Sequence, residues 1–136
     1  MKNQSPSLRI LVVDDNVDAA NMLADLLAMF GHVTAPVYGG AEALSQAKLF
    51  APNVIFLDIG MPRVDGYAVV RDLKKTDVFA AVKVIALTAW GDSDTRHKVR
   101  LAGFDMHLVK PATIEEILNS ITDTTNSLRL FDPPVK

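Results

Sequence analysis

Charged and hydroxyl side chains stand at the ends of four short apolar runs in this sequence. Asp14 and Asp15 follow the first run, Asp58 ends another, Thr88 follows a third and Lys110 follows the last. Such runs are typical of strands buried on both faces of a parallel sheet. Because the carboxyl ends of parallel strands lie at one edge of the sheet, these side chains can converge although they are far apart in sequence. The pattern therefore predicts one polar site at that edge.

The residue types at this edge indicate phosphoryl chemistry. Three carboxylates packed together repel one another and favour binding of a proton or a cation. Oxygen ligands without histidine or cysteine suit a hard ion, and Mg²⁺ fits a site with few protein ligands, although Mn²⁺ could substitute. A lysine opposite the carboxylates and a nearby hydroxyl would bind a phosphoryl group through a charge and a hydrogen bond. The nucleophile would be a carboxylate, which forms an acyl phosphate.

The elements that must position these groups alternate along the chain. Strands are predicted at residues 8–13, 32–37, 54–57, 82–87 and 106–109, and each is followed by a helical pattern. This alternation predicts an α/β fold with a doubly wound parallel sheet covered by helices on both faces. We expect the domain to span residues 8–124, between a polar tail at 1–7 and a C-terminal tail at 125–136.

Two details of the helices are also predicted. After the first strand, apolar residues recur at helical spacing and predict a helix that ends near Gly31; they are Val17, Ala20, Leu23, Leu27 and Phe30. Thr113 followed three residues later by Glu116 predicts a capping box at the start of the last helix.

Bulk composition limits the function. The 136 residues fit one domain, and the absence of cysteine excludes disulfides, thiolate zinc sites and cysteine nucleophiles. Fourteen basic and sixteen acidic residues give a net charge of -2, which predicts no general attraction to nucleic acid. No apolar stretch approaches the ~20 residues of a membrane helix. We expect a cytoplasmic protein that neither binds nucleic acid directly nor inserts into a membrane.

Four motifs together resemble the receiver domain of two-component response regulators. They are L-V-V-D-D-N at 11–16, L-D-I-G-M-P-R-V-D-G at 57–66, L-T-A at 87–89 and V-K-P at 109–111. The resemblance covers roughly residues 8–122 and implies a flavodoxin-like, five-stranded parallel sheet of order 2-1-3-4-5 flanked by five helices. It also implies a cis peptide bond before Pro111.

The same resemblance implies a role for each acidic residue of the site. Asp58 would be the phosphoacceptor. Asp15, Asp58 and the backbone carbonyl of Gly60 would hold Mg²⁺, and Asp14 would support the ion through water. Asp65, by contrast, is interpreted as a turn residue without chemistry.

Phosphoryl binding and switching are assigned in the same way. Lys110 would grip the phosphoryl oxygens and Thr88 would swing toward them. His107 occupies the place of the family's switch aromatic, and its partner would be Thr88. On residue type alone, a single histidine near a strand is more often a partly buried core residue. Ala89 and Trp90 would form the rim of the site, although Trp90 there could also be without effect.

The resulting hypothesis is a signalling protein rather than a turnover enzyme. We expect a stand-alone receiver that is phosphorylated on Asp58 by a histidine kinase or a histidine phosphotransfer protein and signals by protein contacts. The alternatives are a phosphorelay shuttle or a receiver fragment of a hybrid histidine kinase, both favoured by His107, and a phosphate-independent interaction module. An aspartyl-phosphate hydrolase is disfavoured because Gly60 stands where a second acid would act as general acid–base.

Overall fold

A parallel five-stranded sheet forms the centre of the structure, a computed structural model that describes residues 7–122. The strands are β1 Arg9–Val13, β2 Val33–Val37, β3 Val54–Asp58, β4 Lys83–Thr88 and β5 Met106–Val109. Their order is β2-β1-β3-β4-β5, and every pairing is parallel, which confirms the predicted fold class and strand order. Most of the predicted terminal tails and the domain boundary at 124 lie outside the described residues.

Five helices cover the two faces of this sheet. They are α1 Val17–Met29, α2 Ala43–Phe50, α3 Gly66–Lys75, α4 Ser93–Ala102 and α5 Ile114–Thr122. Successive strand residues point to opposite faces, so alternate side chains enter different cores. Ile10 and Phe56 pack with α1 and α5, whereas Leu11 and Leu57 pack with α2, α3 and α4. The central strand β3 is buried along its whole length, as its apolar run predicts.

Side chains cap the first turns of helices that start at the edge of the sheet where the predicted site lies. The capping box is present, since Thr113 N–H donates to Glu116 Oε1 (2.9 Å) and Glu116 N–H donates to Thr113 Oγ1 (3.0 Å). Asp65 accepts a hydrogen bond from the Tyr67 N–H (3.0 Å) and thereby caps α3. The role of Asp65 is therefore structural.

The predicted helix α1 is present, but the apolar residues at its two ends are not buried. Val17 and Phe30 are half exposed, and the buried residues of the helix are Ala20, Ala24 and Leu27. Val17 is the first residue of the helix and Phe30 lies beyond its last turn. Helical spacing identifies the inward direction, but terminal residues extend past the sheet that would bury them.

Candidate functional site

The acidic residues meet because β1 and β3 are neighbours. Val13 pairs with Leu57 across these strands, so Asp14 follows β1 beside Asp58, the last residue of β3. The Asp14 N–H also donates to the Val37 carbonyl (3.0 Å), which extends the β1–β2 pairing by one residue. As a result Asp14 and Asp58 are both buried, although each carries a carboxylate.

Three carboxylates form a cluster at this point. One oxygen each from Asp14, Asp15 and Asp58 lie within 4.8 Å of one another, with Asp15 on the exposed side. Burial raises the pKa of Asp14; the Asn16 N–H opposes this, and the nearby charge of Asp58 adds to it. A set of carboxylate oxygens with one solvent-facing member fits Mg²⁺, which keeps several waters when bound to proteins.

Lys110 connects the two buried carboxylates. Its Nζ lies 3.1 Å from Asp14 Oδ2 and 3.1 Å from Asp58 Oδ2. The Lys110 N–H donates to the Thr88 carbonyl (2.7 Å), so the β4–β5 pairing carries the lysine to the edge of the sheet. Burial acts to lower the pKa of Lys110, but its hydrogen bonds to Asp14 and Asp58 outweigh burial and raise it. The ammonium therefore stays charged at neutral pH.

Both oxygens of Asp58 have donors. Oδ1 accepts a hydrogen bond from the Gly60 N–H (2.8 Å), and Oδ2 faces Lys110. A Cβ added to Gly60 would lie 3.3 Å from Oδ1, so glycine gives the backbone close access to this oxygen. These contacts fix the orientation of the carboxylate.

A cavity of about 360 Å³ opens beside Asp58. Lys110, Thr88, Ala89 and Trp90 are among its lining residues. Thr88 is buried, and its Oγ1 accepts a hydrogen bond from the Trp90 N–H (3.0 Å). The Trp90 side chain is 70% exposed. The cavity therefore places a hydroxyl and an ammonium around a carboxylate, with an aromatic side chain at the mouth.

Comparison with known proteins agrees with this arrangement. Residues 10–122 match the family model of the response regulator receiver domain. The chain belongs to this family.

Individual relatives show the same relationship. The chain is similar to protein PilG of Pseudomonas aeruginosa, with 34% identity over 121 residues, which is 89% of this chain and 90% of PilG. It is 32% identical over 119 residues to the chemotaxis protein CheY of Bacillus subtilis, covering 87% of this chain and 98% of CheY. A solved complex of the yeast (Saccharomyces cerevisiae) phosphotransfer protein Ypd1 with the receiver domain of the response regulator Ssk1 contains a similar chain. That chain has 25% identity and a TM-score of 0.79, covering 88% of this chain and 90% of that one.

The family membership makes this protein a receiver domain of two-component signalling rather than an ordinary turnover enzyme. Two structural features accompany it. The Lys110–Pro111 peptide bond is cis, as the resemblance implies. Within residues 7–122, no helix of the receiver is long and apolar enough to cross a membrane.

His107 lies in the receiver where β5 packs against α4. It pairs with Ala86 of β4 and is only 6% exposed. Burial lowers the pKa of its imidazole, and a hydrogen bond to the Trp90 backbone opposes this effect. Its Nε2 has no hydrogen-bond partner among the described residues. The role of His107 as the switching partner of Thr88 stays a prediction.

The receiver's cavity also contains residues to which the sequence assigned no role. Tyr67 at the start of α3 and Thr95 in α4 line it together with Asp58. Burial and the charges of Asp65 and Asp92 raise the pKa of the Tyr67 hydroxyl. Both residues stand in the first turn of a helix that begins at the carboxyl edge of the sheet. Their position in the first turn could have identified them, but neither residue directly follows an apolar strand run, which was the pattern used to find the site.

Proposed function

We propose that this receiver accepts a phosphoryl group on Asp58 from a phosphohistidine and signals through protein contacts that depend on this modification. The observation that carries the proposal is the position of the Lys110 ammonium, 3.1 Å from the carboxylates of both Asp14 and Asp58. A charged lysine beside a buried carboxylate, at the wall of a cavity, suits the binding of a phosphoryl group to that carboxylate.

Asp58 is proposed to act as the nucleophile. A carboxylate oxygen attacks phosphorus, the phosphorus–nitrogen bond to the donor histidine breaks, and its electron pair returns to the departing imidazole. The Gly60 N–H and the Lys110 ammonium, which donate to the two Asp58 oxygens, keep the carboxylate oriented toward the cavity.

Mg²⁺ is the cofactor we propose for this reaction, and Mn²⁺ could replace it. Asp14, Asp15 and Asp58 provide the oxygen cluster that would hold the ion, with the Gly60 carbonyl as a further ligand by family resemblance. When bound, such an ion neutralises negative charge on phosphoryl oxygens. A bound cation would also offset the charge of Asp58, which adds to burial in raising the pKa of Asp14.

Lys110 and Thr88 are proposed to bind the transferred group. The ammonium of Lys110 would pair with phosphoryl oxygens in place of part of its contact with Asp58. The Thr88 hydroxyl, whose oxygen now accepts from the Trp90 N–H, would turn to donate to a phosphoryl oxygen. This movement would connect the chemistry at Asp58 to the β4–α4 connection, with Ala89 and Trp90 at the rim of the site.

We propose that the protein is cytoplasmic and that its partner is a histidine kinase or a histidine phosphotransfer protein. Support comes from the similar chain in the complex of Ypd1 with the Ssk1 receiver domain. The same complex favours a second candidate, a phosphorelay shuttle that hands its phosphoryl group on to a histidine. Incubating the phosphorylated receiver with a purified phosphotransfer protein separates the two functions. A shuttle transfers the phosphoryl group to the partner, whereas a stand-alone switch retains it.

Labelling by acetyl phosphate in the presence of Mg²⁺ tests the proposal. Intact-protein mass spectrometry should show one added phosphoryl group on the wild type and none on Asp58→Asn. Asp65→Asn is the matched control, because it makes the same chemical change at a nearby carboxylate that caps α3. Labelling of Asp58→Asn at the wild-type level would place the acceptor elsewhere.

A further inference from the structure

An apolar groove of about 520 Å³ lies between α1 and α5, next to the phosphoryl site. Apart from Asp14 and Lys110, every residue that lines it is apolar. Lys110 also borders the cavity beside Asp58. The groove and the reaction cavity therefore share this lysine as a common wall, and whatever occupies the groove lies directly beside the site.

The groove leaves apolar side chains in contact with solvent. On α1, Met22 is 71% exposed and Leu23 and Leu26 are only half-buried, and on α5 Ile114 is 51% exposed. The floor of the groove, by contrast, is already packed, since Ile117 belongs to the core on this face of the sheet. Only a segment that lies over both helices and carries apolar side chains of its own would remove the rim residues from water.

We propose that residues 123–136 of this chain, the C-terminal segment, occupy the groove and cover the α1–α5 side of the phosphoryl site. The segment contains three apolar residues within a stretch of four, Leu128, Leu130 and Phe131, which follow the polar residues 123–127. The docking itself does not depend on the chemistry of Asp58. Its consequence for signalling rests on the phosphoryl acceptance proposed above.

The C-terminal segment starts close enough to reach the groove. Lys83, the first residue of β4, donates from Nζ to the Ser120 carbonyl (2.8 Å), so α5 ends at the edge of the sheet where the strands begin. The helix from Ile114 to Thr122 is about 12 Å long. The stretch between Thr122 and Leu128 can span up to about 20 Å when it is extended. The chain can therefore turn back along α5 and place Leu128 and the residues after it over the groove.

Occupation of the groove should affect phosphoryl donors according to their size. A protein that presents a phosphohistidine to Asp58 must rest on the surface around the site, and the exposed Met22 and Ile114 belong to that surface. Acetyl phosphate needs only the cavity beside Asp58, and none of the residues that line this cavity belongs to α1. A docked segment would therefore slow transfer from a protein and leave labelling by acetyl phosphate unchanged.

Disulfide trapping tests the docking without any phosphoryl chemistry. Because the chain has no cysteine, Met22→Cys combined with Arg129→Cys introduces a single pair and keeps the three apolar residues of the C-terminal segment. The matched control combines Arg129→Cys with Met29→Cys. Met29 lies on the same helix, is 81% exposed and stands just before β2 begins, at the edge of the sheet where α5 ends. A segment that is tethered but does not dock would reach Met29 at least as readily as Met22.

The rates of disulfide formation in dilute glutathione disulfide decide between these cases. We expect the Met22 pair to close about tenfold faster than the Met29 pair, because docking raises the local concentration of the Arg129→Cys thiol at the groove. Intact-protein mass spectrometry distinguishes the intramolecular disulfide from a disulfide-linked dimer. Equal rates, or a faster Met29 pair, would overturn the proposal. Dimers that form preferentially through Met22→Cys would assign the groove to a second copy of the chain instead.

The rate advantage must depend on apolar contacts from both sides. Leu128→Ser, Leu130→Ser and Phe131→Ser together, the serine variant, should remove the advantage when they are added to the Met22 pair. Ile114→Glu should do the same from the groove, and its side chain is exposed enough to accept the change. Val135→Ser is the control for an apolar residue of the segment outside the stretch of four, and it should keep the advantage. An advantage that survives either of the first two changes would contradict docking in the groove.

The second experiment compares phosphorylation of the wild type and the serine variant, both as full chains without added cysteines. The donors are acetyl phosphate and a purified histidine phosphotransfer protein that phosphorylates the wild type. We expect transfer from the protein donor to be about three- to tenfold faster in the serine variant, as it would be if the groove were free in roughly a tenth to a third of wild-type molecules. Labelling by acetyl phosphate should keep its rate.

The other outcomes separate the groove from the acceptor. Equal transfer from the protein donor to both chains would contradict covering of the site. Equal acceleration with both donors would assign the effect to Asp58 itself and would contradict it as well. If no donor labels Asp58 in the wild type, the proposed acceptor function fails, and disulfide trapping still decides whether the C-terminal segment occupies the groove.

Discussion

A lysine contacts aspartate at both ends of the strands in the central sheet. We call the end where the strands begin the amino edge and the end where they finish the carboxyl edge. Only the carboxyl edge has the features of a reaction site. At the amino edge, Lys74 Nζ lies 2.9 Å from Asp105 Oδ2 and also donates to the Val82 carbonyl (2.9 Å). The same Asp105 oxygen accepts from the Val84 N–H (2.8 Å). One ammonium meets one carboxylate, and backbone groups provide the remaining contacts. This pair joins α3 to the starts of β4 and β5.

At the carboxyl edge, the carboxylates outnumber the ammonium groups. One ammonium, that of Lys110, contacts two buried carboxylates, and Asp15 adds a third on the exposed side. The cluster carries more negative charge than its lysine neutralises, and one of its carboxylates borders a cavity. An excess of negative charge beside open space favours binding of a cation, and a bound cation together with the Lys110 ammonium can attract a phosphoryl group, whereas a charge-balanced pair contributes only to the stability of the fold. The predictions below test this difference.

Removing the lysine of the carboxyl edge should have the largest effect on ligand binding. Lys110→Met retains the length of the side chain without its charge, so it removes the donor to phosphoryl oxygens. We expect beryllofluoride affinity to fall by roughly 10- to 100-fold, because a hydrogen bond to a charged group contributes about 1.5–3 kcal/mol. Fluorescence titration of Trp90 with Mg²⁺ present measures this affinity. A variant that binds the mimic as the wild type does would remove the role proposed for Lys110.

The matching change at the amino edge should affect stability alone. Lys74→Met leaves Asp105 with the Val84 N–H but without its ammonium partner. Both side chains are partly exposed, so we expect the free energy of unfolding to fall by about 1 kcal/mol. Urea denaturation measures the loss, and acetyl phosphate labelling of Asp58 should remain at the wild-type level. Reduced labelling in the folded variant would contradict the division between the two edges.

Sequence reasoning located the carboxyl edge for a physical reason. Buried parallel strands are visible as apolar runs, and the residue after each run must lie at the same edge, so Asp14, Asp58 and Lys110 could be brought together without knowing any contact. The roles of individual residues were predicted from the family resemblance, not from spacing. The Lys74–Asp105 pair was missed, because it joins residues 31 positions apart that belong to no motif.

The contacts of His107 were also beyond sequence reasoning. Its spacing from Lys110 identified the position, but the partner depends on how the connection after β4 folds back over β5. There the Trp90 backbone opposes the lowering of the His107 pKa that burial causes. Periodicity predicts which face of an element is buried, and it does not predict the path of a connecting segment.

Neutralising one buried carboxylate of the cluster should stabilise the metal-free protein. Asp14→Asn keeps the shape of the side chain and removes a charge whose pKa is raised by burial and by Asp58. We expect a gain of about 1 kcal/mol in the free energy of unfolding without Mg²⁺, because the change removes a buried charge beside Asp58 while Lys110 keeps its contact with Asp58. Thermal unfolding with and without Mg²⁺ tests this, and the stabilisation by the ion should be smaller in the variant than in the wild type. A less stable metal-free variant would show that the contact with Lys110 outweighs the repulsion.

The pH dependence of Mg²⁺ binding should be the smallest of these effects. Because the pKa of Asp14 is raised, the metal-free site takes up a proton there at a higher pH than an ordinary aspartate does. Mg²⁺ needs the ionised form, so its affinity should fall as the pH is lowered toward the raised pKa, and the metal-free fold should lose part of its charge repulsion over the same interval. Calorimetric titration at pH 7 and pH 5 measures the change, with Asp14→Asn as the variant in which this contribution is absent. The difference between the two proteins isolates Asp14, because the other carboxylates of the cluster are present in both. Parallel pH profiles would show that proton uptake at Asp14 does not compete with the ion.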